Sequence, residues 1–135
     1  MKAKIIFILI GALILFASWQ LPVTEIFESK KGMVKVTILY PNNEGSTFDM
    51  DYYTKNHMPM VAEVLGESIK FYEIDEGISG RTPDEPMPYL AIGYLYFDKL
   101  EDYQNSFGPN AEKIVGDIPN YTNTQPILQI SEVLK

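Results

Sequence analysis

The sequence predicts a single α+β domain with four β-strands and two α-helices, preceded by an apolar N-terminal segment. Three observations carry this prediction. The chain has 135 residues, which is enough for one small domain. Its composition, 46% hydrophobic and 21% charged, is that of a folded protein. After residue 32, strand-like and helix-like patterns follow each other in the order β-α-β-β-α-β.

The N-terminal segment has the layout of an export signal. Lys2 and Lys4 precede an uninterrupted apolar run over residues 5–17, which is the charge-then-apolar pattern of a secretory signal peptide. The small residues that a cleavage site needs are poorly placed, so an uncleaved transmembrane anchor is the rival interpretation. We expect residues 1–20 to be a signal peptide or membrane anchor and residues 21–32 to be a linker. Residues 33–135 would then fold outside the membrane, in a periplasmic, extracellular or membrane-anchored protein.

The composition also excludes several classes of function. The chain has no cysteine, which excludes disulfides, thiolate catalysis and cysteine-based zinc sites. A net charge of −7 without a basic cluster predicts no nucleic-acid binding. The single histidine offers no pair of metal ligands and disfavours a haem site, and no glycine-rich nucleotide-binding motif occurs. We therefore predict no cofactor.

The first strand and the first helix have clear patterns. Residues 33–40 alternate in polarity, as in a strand with one buried face. The residues on the apolar face are Val34, Val36, Ile38 and Tyr40. Asp49 is the predicted N-cap of a helix that ends at Gly66. His57 lies on the inward stripe of this helix, and Pro59 should kink the helix or break it beside His57.

The middle of the chain holds two more strands. Residues 69–77 form the second and residues 89–97 the third, with a polar loop rich in glycine and proline between them. The third strand is apolar on both faces, so we expect both faces to be covered. Tyr94 and Tyr96 lie on one face of this strand, and Leu95 lies on the other.

The second helix directly follows the third strand. Asp98 and Glu101 have the spacing of a capping box at its start. Pro109 should interrupt the helix, and Gly116 should end it. A turn-rich loop then leads to the last strand, residues 127–134.

This order of elements is typical of a ferredoxin-like antiparallel sheet with both helices on one face. The third strand is then central, and its second face needs a cover. A second copy of the sheet would provide that cover, because a monomer would expose a large apolar patch. We therefore predict a homodimer that forms a dimeric α/β barrel with an interior cavity.

Four segments of the sequence resemble those of a known protein family. They are MVKVTILYPN, FDMDYYTKNHMPMV, YLAIGYLYFD and GDIPNYTNTQPILQISEV. Together they closely resemble the EthD family over essentially all of residues 33–135. The resemblance implies the ferredoxin-like fold and the dimer. Members are often labelled reductases or oxidoreductases, although the family has no well-established common reaction. The export segment departs from the usual family pattern and weakens the interpretation as a cytosolic reductase.

His57 is the best candidate for a catalytic side chain, because it belongs to the family-like motif. Near neutral pH an imidazole can act as a general base, or it can hold a phenolic or carbonyl ligand by a hydrogen bond. The alternative is a structural role, in which a buried imidazole bonds a tyrosine or the carbonyl that Pro59 leaves free. The sequence leaves both roles open.

Tyrosines and polar side chains are candidates for binding a ligand. Tyr52 and Tyr53 would place hydroxyl groups at the mouth of the barrel, and Asp117 could orient His57 there. The predicted ligand-binding set also includes Tyr94, Tyr96, Asn120, Tyr121 and Gln129. Packing or turn formation is an alternative explanation for these residues.

No activated nucleophile is visible in the sequence. We therefore expect oxidoreductase-type or cofactor-free oxygen chemistry on a small, hydrophobic organic molecule bound in the barrel cavity, with His57 as the base or the hydrogen-bonding acid. A non-catalytic binding protein for a small hydrophobic ligand is the alternative, and a structural dimer with a closed cavity is a third hypothesis. Whether the protein is an enzyme at all stays open at this point.

Overall fold

A computed structural model describes residues 26–135 of the chain. The predicted signal peptide or anchor, residues 1–20, lies outside the described residues, as does the start of the predicted linker. Residues 26–30 have no regular secondary structure. Within residues 26–135, no helix has the length and apolar character that would let it span a membrane.

Four strands form one antiparallel sheet in the order β2-β3-β1-β4. Their bounds are Val34–Pro41 for β1, Ile69–Glu76 for β2, Tyr89–Phe97 for β3 and Ile127–Glu132 for β4. The first helix covers residues 50–65, between β1 and β2, and the second helix, Leu100–Gly116, lies between β3 and β4. The predicted α+β, ferredoxin-like order is therefore confirmed.

One face of the sheet packs against the two helices. The register places Val36 of β1 beside Leu95 of β3, so their side chains point to the same face. Both are buried in the hydrophobic core, together with Phe97 and residues of both helices. The opposite face, which we call the open face, carries Tyr94 and Tyr96. Helices thus cover only one of the two apolar faces that the sequence predicts for β3.

The first helix contains a widened turn. Asp49 is its N-cap, as predicted, and accepts a 2.9 Å hydrogen bond from the backbone N–H of Tyr52. The turn over Tyr53–His57 is π-helical, and the N–H of Met58 donates to the carbonyl of Tyr53, five residues back. An α-helix over Met58–Leu65 follows without a gap. The helix therefore widens just before Pro59 rather than breaking, and such π-turns are frequent at functional sites.

Tyr53 packs very closely against the sheet. It is fully buried, and its hydroxyl has no hydrogen-bond partner among residues 26–135. A Cβ atom placed on Gly93 of β3 would overlap this hydroxyl. Glycine at position 93 thus allows the tyrosine ring of the first helix to approach the central strand.

The second helix differs from the prediction at its start. It begins at Leu100, Lys99 occupies the N-cap position, and no side chain in the described part of the chain caps it. The capping box predicted from Asp98 and Glu101 is therefore wrong. Asp98 instead forms a 3.1 Å ion pair with Lys70 of β2, which competes for the carboxylate that the cap would need.

The second helix also runs through Pro109 without interruption and ends, as predicted, at Gly116. Contact with the first helix supports the chain next to the proline. The Asn110 side-chain amide donates to the carbonyl of Ser106 at 2.8 Å and to that of Val64 in the first helix at 3.2 Å. The interruption predicted from Pro109 is thus wrong, because tertiary contacts outweigh the local preference of proline.

Candidate functional site

His57 lies at the end of the π-helical turn and is 3% exposed. Its Nδ1 atom is 2.8 Å from Oδ2 of Asp117. Asp117 directly follows the second helix, so the two residues meet where the two helices come together. The structure thus brings Asp117 next to His57, on the helix side of the sheet.

Three side chains donate hydrogen bonds to the Asp117 carboxylate. His57 donates to Oδ2, while the Tyr52 hydroxyl and the Asn120 amide each donate to Oδ1 at 2.8 Å. Burial opposes ionisation of Asp117, but the hydrogen bonds from His57, Asn120 and Tyr52 outweigh it and lower the pKa of the carboxyl below its ordinary value. Asp117 is therefore ionised at neutral pH.

The ionised carboxylate fixes the tautomer of His57. Nδ1 carries the proton that is donated to Asp117, so the Nε2 atom of the neutral ring presents a lone pair. The nearest polar group to Nε2 is the Tyr121 hydroxyl, at 3.3 Å, and the hydroxyls of Tyr121 and Tyr40 are 2.7 Å apart. A consistent chain of donors therefore runs from Tyr40 to Tyr121, and from Tyr121 to Nε2.

Burial decides the charge of His57. It lowers the pKa of the imidazole below its ordinary value of 6.5, because its effect exceeds the opposite effects of the hydrogen bond and the negative charge of Asp117. Burial likewise raises the pKa of the Tyr40 and Tyr121 hydroxyls, so both stay protonated. At neutral pH the ring of His57 is uncharged and available as a base.

His57 lines a cavity of about 240 Å³ between the helices and the sheet. Its wall is mostly aliphatic and aromatic, and the polar residues among those that line it are Tyr40, Tyr103 and Gln125 in addition to His57. The apolar lining residues are Val36, Ile38, Met58, Val61, Leu95, Phe107, Ile114, Val115, Ile118, Pro126 and Leu128. Leu128 and Val115 are 47% and 53% exposed, so the cavity opens beside β4.

Four of the predicted ligand-binding residues surround the His57–Asp117 pair without lining the cavity. Tyr52 and Asn120 contact Asp117 from the outside, as described above. The ring of Tyr53 stacks against the imidazole at a centroid distance of 5.5 Å, and Tyr121 contacts it at 4.5 Å.

The remaining three predicted residues lie on the open face, away from His57. The Tyr94 hydroxyl donates to Asp75 at 2.9 Å, and the Tyr96 hydroxyl donates to Glu73 at 2.7 Å. Gln129 is exposed and donates to Ser131 at 3.0 Å. Burial and the hydrogen bond to Asp75 raise the pKa of Tyr94 to about 12. The structure thus separates this group from the cavity by the thickness of the sheet.

Three polar residues of the cavity wall are absent from the predicted set. Tyr40 lies on the apolar face predicted for the first strand, and Tyr103 shares a helical spacing with Phe107 and Ile114 in the second helix. Both patterns indicate core residues. Gln125 belongs to the family-like segment GDIPNYTNTQP, whose composition is typical of a turn. Inward orientation is therefore the available signal for the two tyrosines.

The arrangement favours proton transfer. Within residues 26–135, no three His, Asp or Glu side chains are grouped so that they could hold a metal ion. The Asp117 contact occupies Nδ1 of His57 and leaves Nε2, which accepts a hydrogen bond from Tyr121, as the nitrogen that can take up a proton. This is the arrangement of an oriented general base.

Fold and site together define a ferredoxin-like α+β protein with a partly buried His57–Asp117 pair beside an apolar cavity. The family model of the EthD domain matches residues 45–125, which is more than half of the chain. The chain belongs to the EthD family. None of the curated proteins compared with the chain matches it.

Three solved structures are similar to the chain. An EthD-like protein from Ralstonia eutropha JMP134 is 38% identical, with a TM-score of 0.74, over 78% of this chain and 96% of that one. An EthD family protein from Bacillus halodurans C-125 is 19% identical, with a TM-score of 0.52, over 76% and 99%. A dimeric protein of unknown function with a ferredoxin-like fold, from Bacteroides fragilis NCTC 9343, is 15% identical, with a TM-score of 0.51, over 76% and 98%.

Proposed function

We propose that the protein is an enzyme that removes a proton from a small hydrophobic organic molecule, with His57 as the base and without a cofactor. One observation carries the proposal. The only histidine of the chain lines an apolar cavity, and an ionised carboxylate holds its Nδ1 atom. A neutral imidazole with a pKa below 6.5 is deprotonated at neutral pH, as a general base must be.

The cavity limits the size of the substrate. An apolar protein cavity of about 150 Å³ holds a benzene molecule, and this cavity measures about 240 Å³. It therefore suits a molecule of one or two rings, smaller than the drug-sized ligands that occupy about 300–1,000 Å³. The few polar groups of the wall would bind one or two oxygen atoms of such a molecule.

The proposed step transfers one proton. A C–H bond next to a carbonyl group breaks, the proton moves to Nε2 of His57, and the electron pair stays on the substrate as an enolate. Asp117 stabilises the imidazolium that forms, and Tyr121 releases its long 3.3 Å contact with Nε2. Return of the proton from Nε2 to a different atom of the enolate would complete an isomerisation of the substrate.

An oxidoreductase outcome needs only dioxygen as a second substrate. The electron pair of the enolate would then form a C–O bond with dioxygen. The resulting peroxide anion would take the proton back from Nε2 to give a hydroperoxide. The same base serves both outcomes, so a test for proton removal comes first.

Exchange of hydrogen for deuterium tests the base without knowledge of the natural substrate. Full-length protein is incubated in D2O with small carbon acids, such as acetophenone and 1-indanone, and NMR follows loss of the α-hydrogen signal. We expect catalysed exchange that falls at least about 100-fold in a His57→Gln variant, the lower end of the usual contribution of a general base.

An Asn56→Gln variant is the matched control, because Asn56 is the exposed neighbour of His57 in the same turn. It should exchange at the unmodified rate. Probe binding without exchange above background, in the unmodified protein, would reject the enzyme and favour the hydrophobic binding protein. Equal exchange in His57→Gln and unmodified protein would assign the proton to another group.

We further propose that the open face forms the homodimer interface. An apolar row crosses this face, because Leu39 of β1 pairs with Ile92 of β3 and with Ile127 of β4. Ile127 is 53% exposed in the single chain, and a second sheet would cover the row. Light scattering should give the mass of a dimer, and an Ile92→Lys variant should be monomeric. A monomeric unmodified chain would contradict this proposal.

A further inference from the structure

Tyr52 and Asn120 contact the catalytic pair from the side opposite to the cavity. Neither residue lines the cavity, so neither can touch a molecule bound there. Both donate to Oδ1 of Asp117 at 2.8 Å, and a weaker 3.4 Å contact joins the Asn120 amide to the Tyr52 hydroxyl. Within residues 26–135, the polar contacts of these two side chains therefore concern Asp117 or each other.

Asp117 occupies an unfavourable position for a carboxylate. It follows the C-terminal end of a helix of 17 residues, where the helix dipole presents partial negative charge. Its side chain is 18% exposed, so water can compete for its oxygens. Without fixed donors, the carboxylate would turn away from the helix end and towards solvent. Two donors on one oxygen hold it in the orientation that places the other oxygen on His57.

We propose that Tyr52 and Asn120 are positioning residues that lock the Asp117 carboxylate and thereby keep the proton of His57 on Nδ1. This inference rests on the proposed function, because it assigns how the base is kept ready. It also changes the role of both residues from ligand contacts to supports behind the pair. The two donors come from different parts of the fold. Asn120 lies three residues after Asp117 in the same turn, while Tyr52 belongs to the first helix.

The surroundings of the pair contain few other ionisable groups in the described part of the chain. His57 faces Asp117, Tyr121 and Tyr53. Asp117 faces His57 and Tyr52. The charged residues that line the two surface clefts outside it are Lys55, Glu63, Glu112 and Lys113. None of these charges changes in the variants below, so an altered His57 signal reports the lost hydrogen bonds.

The single histidine makes the test direct. Full-length protein labelled with ¹⁵N in histidine gives an NMR spectrum with the signals of a single imidazole from the chain. The chemical shifts of its two nitrogen atoms report which of them carries the proton. In the unmodified protein at pH 7.5, we expect a protonated Nδ1 and an unprotonated Nε2. In a Tyr52→Phe/Asn120→Ala double variant, the ratio of the two tautomers should move towards Nε2–H by roughly tenfold, the order expected for a lost hydrogen bond to a charged group. Each single variant should show a smaller change in the same direction.

A Tyr94→Phe variant is the matched control, because it removes another tyrosine-to-aspartate hydrogen bond, 2.9 Å long, on the open face. Its His57 spectrum should equal that of the unmodified protein. An unchanged tautomer ratio in both single variants and in the double variant would overturn the inference. The proposed function is rejected by a different result, the absence of deuterium exchange in the unmodified protein. That result would not alter the tautomer ratios measured for the Tyr52 and Asn120 variants. If the double variant does not fold, the single variants decide.

Discussion

The close contact between Tyr53 and Gly93 leads to a quantitative prediction about how the first helix packs against β3. In Gly93→Ala, the new methyl group would overlap the Tyr53 hydroxyl. Both groups are buried, so the ring or the strand must shift, and overpacking of this kind costs about 1–3 kcal/mol. We expect Gly93→Ala to lower the free energy of unfolding by that amount.

Tyr53→Phe removes the overlapping atom. The next atom in line, Cζ of the ring, lies 3.6 Å from the position that the new methyl group would occupy, which is an ordinary van der Waals distance. The variant also removes a buried hydroxyl that has no hydrogen-bond partner among residues 26–135. A buried unsatisfied group of this kind lowers the free energy of unfolding by about 1–3 kcal/mol. Tyr53→Phe alone should therefore be neutral or stabilise by about 1 kcal/mol.

The two substitutions together should be strongly non-additive. In the Tyr53→Phe background, Gly93→Ala should cost almost nothing, which gives a coupling energy of about 1–3 kcal/mol. Urea unfolding of the four proteins, with equal m-values, measures this energy. Additive effects would refute the argument, because they would mean that the hydroxyl and the strand do not compete for the same space.

Three further predictions concern the site. Asp117→Asn should lower deuterium exchange by at least about 100-fold at unchanged probe affinity, because the amide no longer fixes the proton on Nδ1. Stability should fall as the pH drops below 6.5, since the folded state lowers the pKa of His57 and the unfolded chain binds the proton first; in thermal melts, His57→Gln should lack this component. Leu128→Trp at the cavity mouth should abolish probe binding, measured by calorimetry, with little change in melting temperature. The first prediction is contradicted by retained exchange in Asp117→Asn, and the second by a pH dependence that is the same in His57→Gln and in the unmodified protein. The third is contradicted by retained probe binding in Leu128→Trp.

The order of elements and the core of the sheet could be predicted from local pattern. The alternation in β1 and the bounds of β3 follow from a period of two, and glycine ends both helices where expected. The behaviour of Pro109 could not be predicted, because the neighbouring Asn110 bonds to a first-helix carbonyl, that of Val64, which is 46 residues away from Asn110 along the chain. The missing cap has a similar cause, since Asp98 pairs with a lysine of β2.

The site could be predicted only in part, for a geometric reason. β3 is apolar on both faces, so the alternation alone does not say which tyrosines face the helices. The predicted set includes Tyr94 and Tyr96, whereas Tyr40 of the neighbouring strand lines the cavity. It also includes His57 and Asp117, although 60 residues separate them. Their contact depends on how the end of the second helix packs against the middle of the first helix, and no local pattern encodes that.

The central claim is that small molecules bind beside His57, between the helices and the sheet. NMR of full-length protein with ¹³C-labelled methionine and isoleucine methyl groups, titrated with phenol, tests it most directly. Met58 and Ile114 line the cavity, whereas Met60 lies in an outer cleft and Ile92 on the open face. We predict saturable shifts at Met58 and Ile114, and none at Met60 or Ile92. Shifts confined to Ile92 would place the binding site on the open face and contradict the account.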